Sequence, residues 1–291
     1  MAEFILSAFA DEAAETAEGQ VAALKRNGIG WIEPRNVRGG LLEKSEDELK
    51  AIAATFAAGG IRVSSLGSPI GKYDIDKPFE DHLAQFRRAL RACAIFGTRR
   101  MRMFSFFVPQ DRLAECRGEV LRRLRVLLDE ANAAGVTLCH ENESKIYGQN
   151  PAEVRDLFTA LPDLRGVYDP ANYVMNGQDP IEGLEATLPS LAYLHIKDAI
   201  AAKKSIVPSG RGDGRIAEVL RRVDAARDGE VFLSVEPHLH AFLAYKQIDS
   251  RELKNEYTFA NSDEAFDCAA AALKKTLQKI GFHEENGTWK K

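Results

Sequence analysis

The sequence predicts an α/β protein that folds as a single (β/α)8 barrel of the TIM type. Short runs typical of β-strands alternate with longer stretches whose apolar residues recur at helical spacing, and eight such pairs fill most of the 291 residues. Parallel strands need helical crossovers, and a barrel of eight strands occupies about this length of chain. A doubly wound sheet is the alternative fold, but no G-x-G-x-x-G motif follows the first strand.

Each predicted element has a local basis in the sequence. The eight predicted strands are Phe4–Ala8, Gly30–Glu33, Ile61–Leu66, Arg100–Phe104, Val136–His140, Arg165–Tyr168, Ala192–Ile196 and Val231–Val235. The predicted helices cover about 16–27, 45–58, 79–96, 117–134, 151–160, 180–188, 215–226 and 263–280. Ser45 and Glu48 form a capping box, and Asn150 and Asp179 each precede a proline at the first helical position.

No low-complexity linker or shift in composition marks a second domain, so we expect residues 1–291 to form one domain. The longest connection without a repeat lies at about 237–262, after the eighth strand. A loop of this length in a compact barrel is more often functional or an oligomer contact than empty. A contact between copies of the chain, and so a homo-oligomer, is compatible with this loop.

The composition argues against several classes of protein. Lys and Arg number 39 against 43 Asp and Glu, a formal net charge of -4 without a long basic cluster, so no nucleic acid partner is expected. No apolar run approaches the ~20 residues of a membrane span, and no charged signal-peptide start precedes the first strand. The four cysteines lie far apart without a C-x-x-C pair, which fits a reducing cytoplasm. We therefore expect a cytoplasmic protein without a membrane partner.

Polar residues stand where the last four predicted strands end. They are Glu141, Asp169, His195 and Glu236. Side chains alternate along a strand, so Glu141, His195 and Glu236 share the parity that points into the barrel, opposite to their apolar neighbours. Three carboxylates converging there would repel each other unless a cation lay between them, and an imidazole as fourth ligand suits a divalent transition metal. A single acid at a strand end more often caps a helix, but four polar residues at consecutive strand ends predict a metal site.

The strand ends also carry motifs of a known family. They are Ile32-Glu33-Pro34-Arg35-Asn36, Gly67–Lys72, Met103-Phe104-Ser105-Phe106, His140–Glu143, Tyr168–Asn172, His195–Ala199 and Glu236–Leu239. Over nearly the whole chain these motifs resemble the xylose isomerase-like TIM-barrel superfamily, in particular the sugar phosphate isomerase/epimerase group with its ketose 3-epimerases, hydroxypyruvate isomerase and inosose dehydratase. The resemblance implies one metal ion at the same four residues, Mn²⁺ first, with Mg²⁺, Co²⁺ or Zn²⁺ as alternatives.

The resemblance also implies the chemistry. In such enzymes the metal chelates two adjacent oxygens of a ketose and stabilises the enediolate formed when a proton leaves the neighbouring carbon. Glu141 and Glu236 are then the catalytic carboxylates that remove and return the proton. One carboxylate acting alone gives aldose–ketose isomerisation, two on opposite faces give epimerisation, and departure of a hydroxyl gives dehydration. We favour the isomerase or epimerase class over a dehydratase, and a metal-binding barrel without turnover is a further alternative.

Four residues are predicted to bind the substrate, a small sugar, sugar phosphate or related polyol. Lys197 shares the parity of His195, although a surface lysine fits the sequence nearly as well, and His238 lies two residues beyond Glu236. Glu33 belongs to the motif after the second strand. By resemblance, Arg211 in the glycine-rich segment Ser209–Gly214 would meet a substrate oxygen, and a plain flexible turn explains these glycines equally well.

A nuclease of the same fold is the least expected alternative. The endonuclease IV type resembles this group but uses three zinc ions and many more histidines. Here Asn172 stands where the nuclease has a histidine, and the chain has only 6 His. Its net negative charge also disfavours a nucleic-acid substrate.

Overall fold

The strands close into a barrel in chain order. A computed structural model describes residues 1–240, 254–255 and 259–291. Its barrel strands are β1 (Ala2–Ala8), β2 (Trp31–Ile32), β3 (Arg62–Val63), β4 (Leu66–Gly67), β5 (Arg100–Met103), β6 (Thr137–Glu141), β7 (Arg165–Tyr168), β8 (Leu191–Ile196) and β11 (Gly229–Val235). Parallel pairing runs from β4 through β5, β6, β7, β8 and β11 to β1, which closes the first strand on the last. The (β/α)8 barrel predicted from the sequence is confirmed.

The third barrel strand is divided, unlike the single strand Ile61–Leu66 that the sequence predicts. β3 pairs with β2, and β4 pairs with β5, so the two halves serve different neighbours. β1 and β2 are joined by a backbone hydrogen bond from Glu33 to the Ala8 carbonyl, at 3.0 Å.

In the described part of the chain, helices surround the strands at nearly the predicted positions, and one further short helix, Pro170–Met175, was not predicted. They are α1 (Ala17–Arg26), α2 (Glu46–Ala58), α3 (Phe79–Phe96), α4 (Leu113–Ala133), α5 (Pro151–Ala160), α6 (Pro170–Met175), α7 (Pro180–Thr187), α8 (Ile216–Ala226) and α9 (Ser262–Lys279). The capping box of Ser45 and Glu48 is present, and Asp179 accepts hydrogen bonds from the first turn of α7. Among the described helices, none is long and apolar enough to cross a membrane.

Two additions to the barrel were not predicted. A small sheet over the mouth contains β9 (Asp198–Ile200), β10 (Ser205–Val207) and β12 (Lys254–Asn255). The hairpin of β13 (His283–Glu285) and β14 (Thr288–Lys290) pairs antiparallel with β1. The expected loop 237–262 lies largely outside the described residues, and it includes β12, which pairs parallel with β10.

Alternation along the strands sorts side chains into two cores. Leu138, Leu194 and Val235 belong to the large core between strands and helices, as their parity predicts. A separate buried cluster fills the lower barrel interior and consists of Ile5, Cys139, Val167, Tyr193 and Phe232. On three of these strands the next inward positions are the predicted metal ligands Glu141, Asp169 and His195, so the fold places them directly above this apolar layer. Glu236 lies one inward position further along, because Ser234 stands between it and Phe232.

Candidate metal centre

The four polar residues at the last strand ends converge at the mouth of the barrel. Glu141 ends β6, His195 lies in β8, Asp169 follows β7, and Glu236 follows β11. One donor atom of each lies within 4.8 Å of the others, and all four side chains are buried. We call these residues the four-residue cluster.

The donor atoms of the cluster fit a divalent ion. His195 Nδ1 lies 3.2 Å from Glu141 Oε1 and 3.6 Å from Glu236 Oε2, yet it makes no hydrogen bond. Asp169 Oδ2 is also buried and has Lys197 Nζ as its neighbour at 2.7 Å, whereas Asp169 Oδ1 accepts a hydrogen bond from the Asn172 N–H at 3.1 Å. Buried polar atoms in proteins are nearly always satisfied, so a buried imidazole nitrogen that faces two carboxylates without a hydrogen bond indicates a shared ligand. Three carboxylates and an imidazole are a suitable set for such an ion.

The protein groups of the cluster shift each other's pKa strongly. Burial alone would lower the pKa of His195, but the carboxylates of Glu141 and Glu33 outweigh it and raise that pKa to about 10. Burial raises the pKa of Asp169 to about 7 against the opposing charge of Lys197. His195 and Asp169 therefore hold their protons more tightly than usual. Burial would also raise the pKa values of Glu141 and Glu236, but the charges of His195 for Glu141 and of Lys197 for Glu236 outweigh it and lower them.

Lys197 lies inside the cluster, on the side predicted from its parity with His195. Its Nζ is 2.7 Å from Asp169 Oδ2 and 3.1 Å from Glu236 Oε2, and the side chain is buried. Burial would lower the pKa of Lys197, but these carboxylates hold it well above its ordinary value. The Lys197 ammonium is therefore charged, and it could contact a ligand that binds next to Asp169 and Glu236.

Glu33 lies below the cluster, and substrate binding by this residue stays a prediction. Its carboxylate is fully buried, 3.2 Å from His195 Nε2, and it accepts a 2.7 Å hydrogen bond from the Tyr193 hydroxyl. A carboxylate that binds the far nitrogen of a metal-ligating histidine fixes the tautomer and the ring orientation. The structure thus supports a positioning role for Glu33, because His195 lies between it and the mouth.

Arg35 and His238 flank Glu236 on its other side. Arg35 donates hydrogen bonds to Glu236 at 3.0 Å, to Asp11 at 3.0 and 3.2 Å and to Glu12 at 3.3 Å. His238 has a φ of 46°, its N–H donates to Glu12 at 2.6 Å, and its Nε2 is 3.5 Å from Glu236 Oε1. A non-glycine residue in this strained region is a feature of functional sites. His238 is placed where it could contact a substrate, and that role stays a prediction.

Two asparagines support the acids, Asn142 just after β6 and Asn172 in α6. Asn142 exchanges two hydrogen bonds with the Asp169 backbone, each at 2.9 Å, and Asn172 donates to Glu141 Oε1 at 3.2 Å. Asn172 also donates to the Asn142 carbonyl at 2.8 Å. The residue that replaces the nuclease histidine is therefore used to orient Glu141.

Arg211 is exposed in the glycine-rich loop, and among the described residues it makes no contact with the four-residue cluster. The glycines have another explanation, since the buried Asp198 carboxylate accepts 2.9 Å hydrogen bonds from the backbone of Gly210, Gly212 and Gly214. A Cβ at Gly212 would lie 2.4 Å from Asp198 Oδ1. Close approach to Asp198 therefore requires these glycines, and substrate binding by Arg211 stays a prediction.

Arg102 is a site residue that was not predicted. Its Nε lies 3.5 Å from Glu141 Oε2, and the residue is 5% exposed. The alternation Arg100-Met101-Arg102-Met103 was the available signal, because both methionines are buried in the outer core and Arg102 must therefore point inward.

A parallel barrel with carboxylates and an imidazole at the carboxyl ends of its strands defines a class whose sites lie at that face. Residues 21–247 match the family model described as xylose isomerase-like TIM barrel, and the chain belongs to that family. A comparison with curated proteins gave no match.

Solved structures with this fold include proteins of different activity. A D-psicose 3-epimerase with D-tagatose from Clostridium cellulolyticum H10 has a TM-score of 0.69 and 14% identity, over 95% of this chain and 99% of that one. The probable 3-DHS dehydratase AsbF of petrobactin synthesis from Bacillus anthracis has 0.71 and 13%, over 92% and 98%. The IOLI protein with a binding zinc atom has 0.73 and 16%, over 95% and 99%. At such identities these likenesses show the fold.

Proposed function

We propose that the protein is a metal-dependent isomerase or epimerase of a sugar, sugar phosphate or related polyol, acting through an enediolate. The observation that carries this proposal is a pair of buried carboxylates on one imidazole, with Glu141 at 3.2 Å and Glu236 at 3.6 Å from His195 Nδ1. Two carboxylates this close to one point can reach the same substrate carbon. The expected partner is a small molecule, and a cytoplasmic location stays a prediction.

Glu141, Asp169, His195 and Glu236 would hold one divalent ion, with Mn²⁺ expected first. When bound, the ion would draw electrons from a substrate carbonyl and so acidify the neighbouring C–H bond. His195 Nδ1, which is buried between two carboxylates without a hydrogen bond, supports this assignment. The zinc named for the IOLI protein gives independent support from a protein of the same fold.

Glu236 is suited to act as the base. Burial would raise its pKa, but Lys197 first, then His238, His195 and Arg35, hold that pKa well below its ordinary value. Glu236 is therefore ionised at neutral pH and able to accept a proton from carbon. Glu141 is placed to return a proton, and if the two act on opposite faces of one carbon the reaction is an epimerisation.

Dehydration is the second candidate function, and the position of Lys197 favours it. Its charged Nζ lies within hydrogen-bond reach of two acids of the cluster and could protonate a departing hydroxyl. The probable dehydratase of the same fold makes this chemistry compatible with the scaffold. A barrel that binds metal without turnover remains the third alternative.

Solvent exchange tests the proposal. Protein loaded with Mn²⁺ and incubated with a series of ketoses in D₂O should place deuterium on the carbon next to the carbonyl. Glu236→Gln should lower that exchange about 100- to 10,000-fold, the loss of a positioned general base. Glu230→Gln is the matched control, because Glu230 shares the strand and parity of Glu236 at the opposite, exposed end of β11.

The products separate the candidate functions. An epimerase should show lopsided exchange, with Glu141→Gln and Glu236→Gln each retaining deprotonation of one epimer. If both variants lose deuterium exchange equally with both epimers and still bind metal, isomerisation by one glutamate is favoured. Release of water from the substrate would identify a dehydratase. Turnover without deuterium incorporation would indicate a hydride shift and would contradict the two-glutamate mechanism.

A further inference from the structure

A cavity of about 170 Å³ adjoins the four-residue cluster on the side of the first barrel strands. Its lining includes three cationic side chains, Arg35, Lys72 and Arg102, and one acidic side chain, Glu43. Arg35 and Arg102 also contact the cluster, through Glu236 and Glu141 respectively. A ligand that reaches the cluster could therefore extend into a pocket with positive walls.

Arg102 differs from the other buried arginines in its lack of partners. Its Nε is buried without a hydrogen bond, and the structure gives its guanidinium no hydrogen bond to any described residue, only the 3.5 Å ion-pair contact with Glu141. Arg123 is equally buried, yet it donates to Glu119 at 2.7 Å and to two carbonyls at 2.8 and 3.0 Å. A buried guanidinium without hydrogen bonds is costly, which indicates that a ligand completes its coordination.

Aromatic rings hold the Arg102 guanidinium in place. Its central carbon lies 4.8 Å from the Phe104 ring centre and 5.4 Å from that of Phe9. Lys72 Nζ stands 4.5 Å from the same Phe104 ring, and it pairs with Glu143 at 3.0 Å. A planar guanidinium fixed in this way presents a rigid fork that matches the two oxygens of a carboxylate or phosphate.

We propose that the substrate carries an oxyanion, a carboxylate or a phosphate, and that Arg102 binds it while Glu141 and Glu236 act on the carbon skeleton. Lys72 contributes a second positive charge to this anion subsite. The inference rests on the proposed function, because it assigns a binding residue to the part of the same substrate that does not react. It predicts that charge on the substrate determines specificity.

Calorimetric titration of the Mn²⁺-loaded protein tests the subsite without turnover. The probes are D-fructose, its phosphate monoester at the terminal hydroxyl, and D-fructuronate, which has a carboxylate there. One of the two anions should bind about 10- to 100-fold more tightly than D-fructose, the effect of hydrogen bonds to a charged group. The preferred anion identifies whether phosphate or carboxylate is the natural group.

Arg102→Met should abolish this preference, so that the two anions and D-fructose bind the variant with similar affinity. Arg100→Met is the matched control, since Arg100 lies two residues earlier on the same face of β5, at the other end of the barrel, and should keep the preference. Arg102→Lys retains the charge without the fork and should show a reduced preference, which covers the case that the methionine variant fails to fold.

Three results would overturn the inference: equal binding of all three probes, a preference that survives in Arg102→Met, or a full preference in Arg102→Lys. If no sugar binds, inorganic phosphate and acetate decide, and binding of neither to the wild-type protein also overturns it. An Arg102-dependent anion preference without deuterium exchange would contradict the proposed function alone. Exchange with neutral ketoses and no anion preference would contradict this inference alone.

Discussion

The barrel interior has a lower and an upper layer of side chains, which lie two residues apart on the same strands. The lower layer is apolar, and the upper layer is the four-residue cluster. The paired positions are Cys139 and Glu141, Val167 and Asp169, and Tyr193 and His195. Residues two apart on a strand face the same side, so each of these three strands delivers one residue of the lower layer and one residue of the cluster to the interior. The residues that pack the barrel and the residues that form the candidate metal centre are therefore neighbours on the same face of each of these strands.

This separation has one exception, at Tyr193. The ring packs in the lower layer, but its hydroxyl donates to Glu33, whose carboxylate contacts His195 in the upper layer. The two layers are therefore connected by a chain of buried hydrogen bonds. Substitutions in the lower layer should affect stability alone, except where they break this chain.

The largest expected effect on stability is that of Phe232→Ala in the lower layer. The Phe232 ring is buried and packs edge-on against Trp31, with centroids 5.0 Å apart. Truncation should lower the free energy of unfolding by about 3 to 5 kcal/mol, the range for a large buried aromatic. Urea unfolding measures the loss, and Phe232→Leu should cost clearly less. Loss of metal binding with unchanged stability would contradict the separation of layers.

Buried histidines provide a second contrast, between the mouth and the helix layer. His195 has its pKa raised to about 10 despite burial, because carboxylates face it. His82 in α3 has its pKa lowered to about 4, first by burial and then by the charge of Arg123. It stacks on Tyr73 and accepts a 2.9 Å hydrogen bond from the Gly71 N–H, which requires a neutral ring nitrogen.

His82 therefore predicts acid destabilisation. Its pKa is about 4 in the folded protein against 6.5 ordinarily, so the unfolded chain binds a proton first as pH falls. Its contribution is fully present above pH 6.5 and is lost as pH falls through 4, by up to about 3 kcal/mol. Urea unfolding between pH 7 and 4 should show a shallower loss for His82→Gln than for the wild type. The exposed His283→Gln is the control, and an equal slope in all three proteins would contradict the assignment.

Metal removal is expected to act on the upper layer alone. An ion that binds only the folded state adds about 2.7 kcal/mol when its free concentration is 100 times Kd, so a chelator should lower the melting temperature. Elemental analysis should find one ion per chain in protein purified without chelator. His195→Ala should contain little metal and should not respond to chelator. Full metal content in that variant would refute the four-residue site.

The sequence predicted the parts of this site that depend on periodicity along one strand. Glu141, His195 and Glu236 share one parity, and each was placed correctly because alternation needs no knowledge of the neighbouring strand. The position of Glu33 was not predictable in this way, since its contact with His195 depends on how β2 is staggered across the barrel from β8. The β13–β14 hairpin was missed because each strand has only 3 residues, too few for a recognisable hydrophobic alternation, and its attachment to the barrel depends on the pairing of β14 with β1.

A smaller effect than that of metal removal is expected for Glu33→Gln, which weakens the hydrogen-bonded connection between the two layers. The variant keeps the shape of the side chain but loses the negative charge beneath His195, so the imidazole becomes a weaker ligand and its tautomer is less firmly fixed. Loss of such a supporting group typically costs about 10- to 100-fold in metal affinity. Tyr193→Phe removes only the hydroxyl that donates to Glu33, and we expect a smaller loss in the same direction. Competition titration with a metal-sensitive dye measures both variants, and the partly exposed Glu3→Gln, at the start of β1 and far from the cluster, is the control. If Glu33→Gln binds metal as the wild type does but binds the sugar more weakly, Glu33 contacts substrate directly, as its sequence motif first indicated.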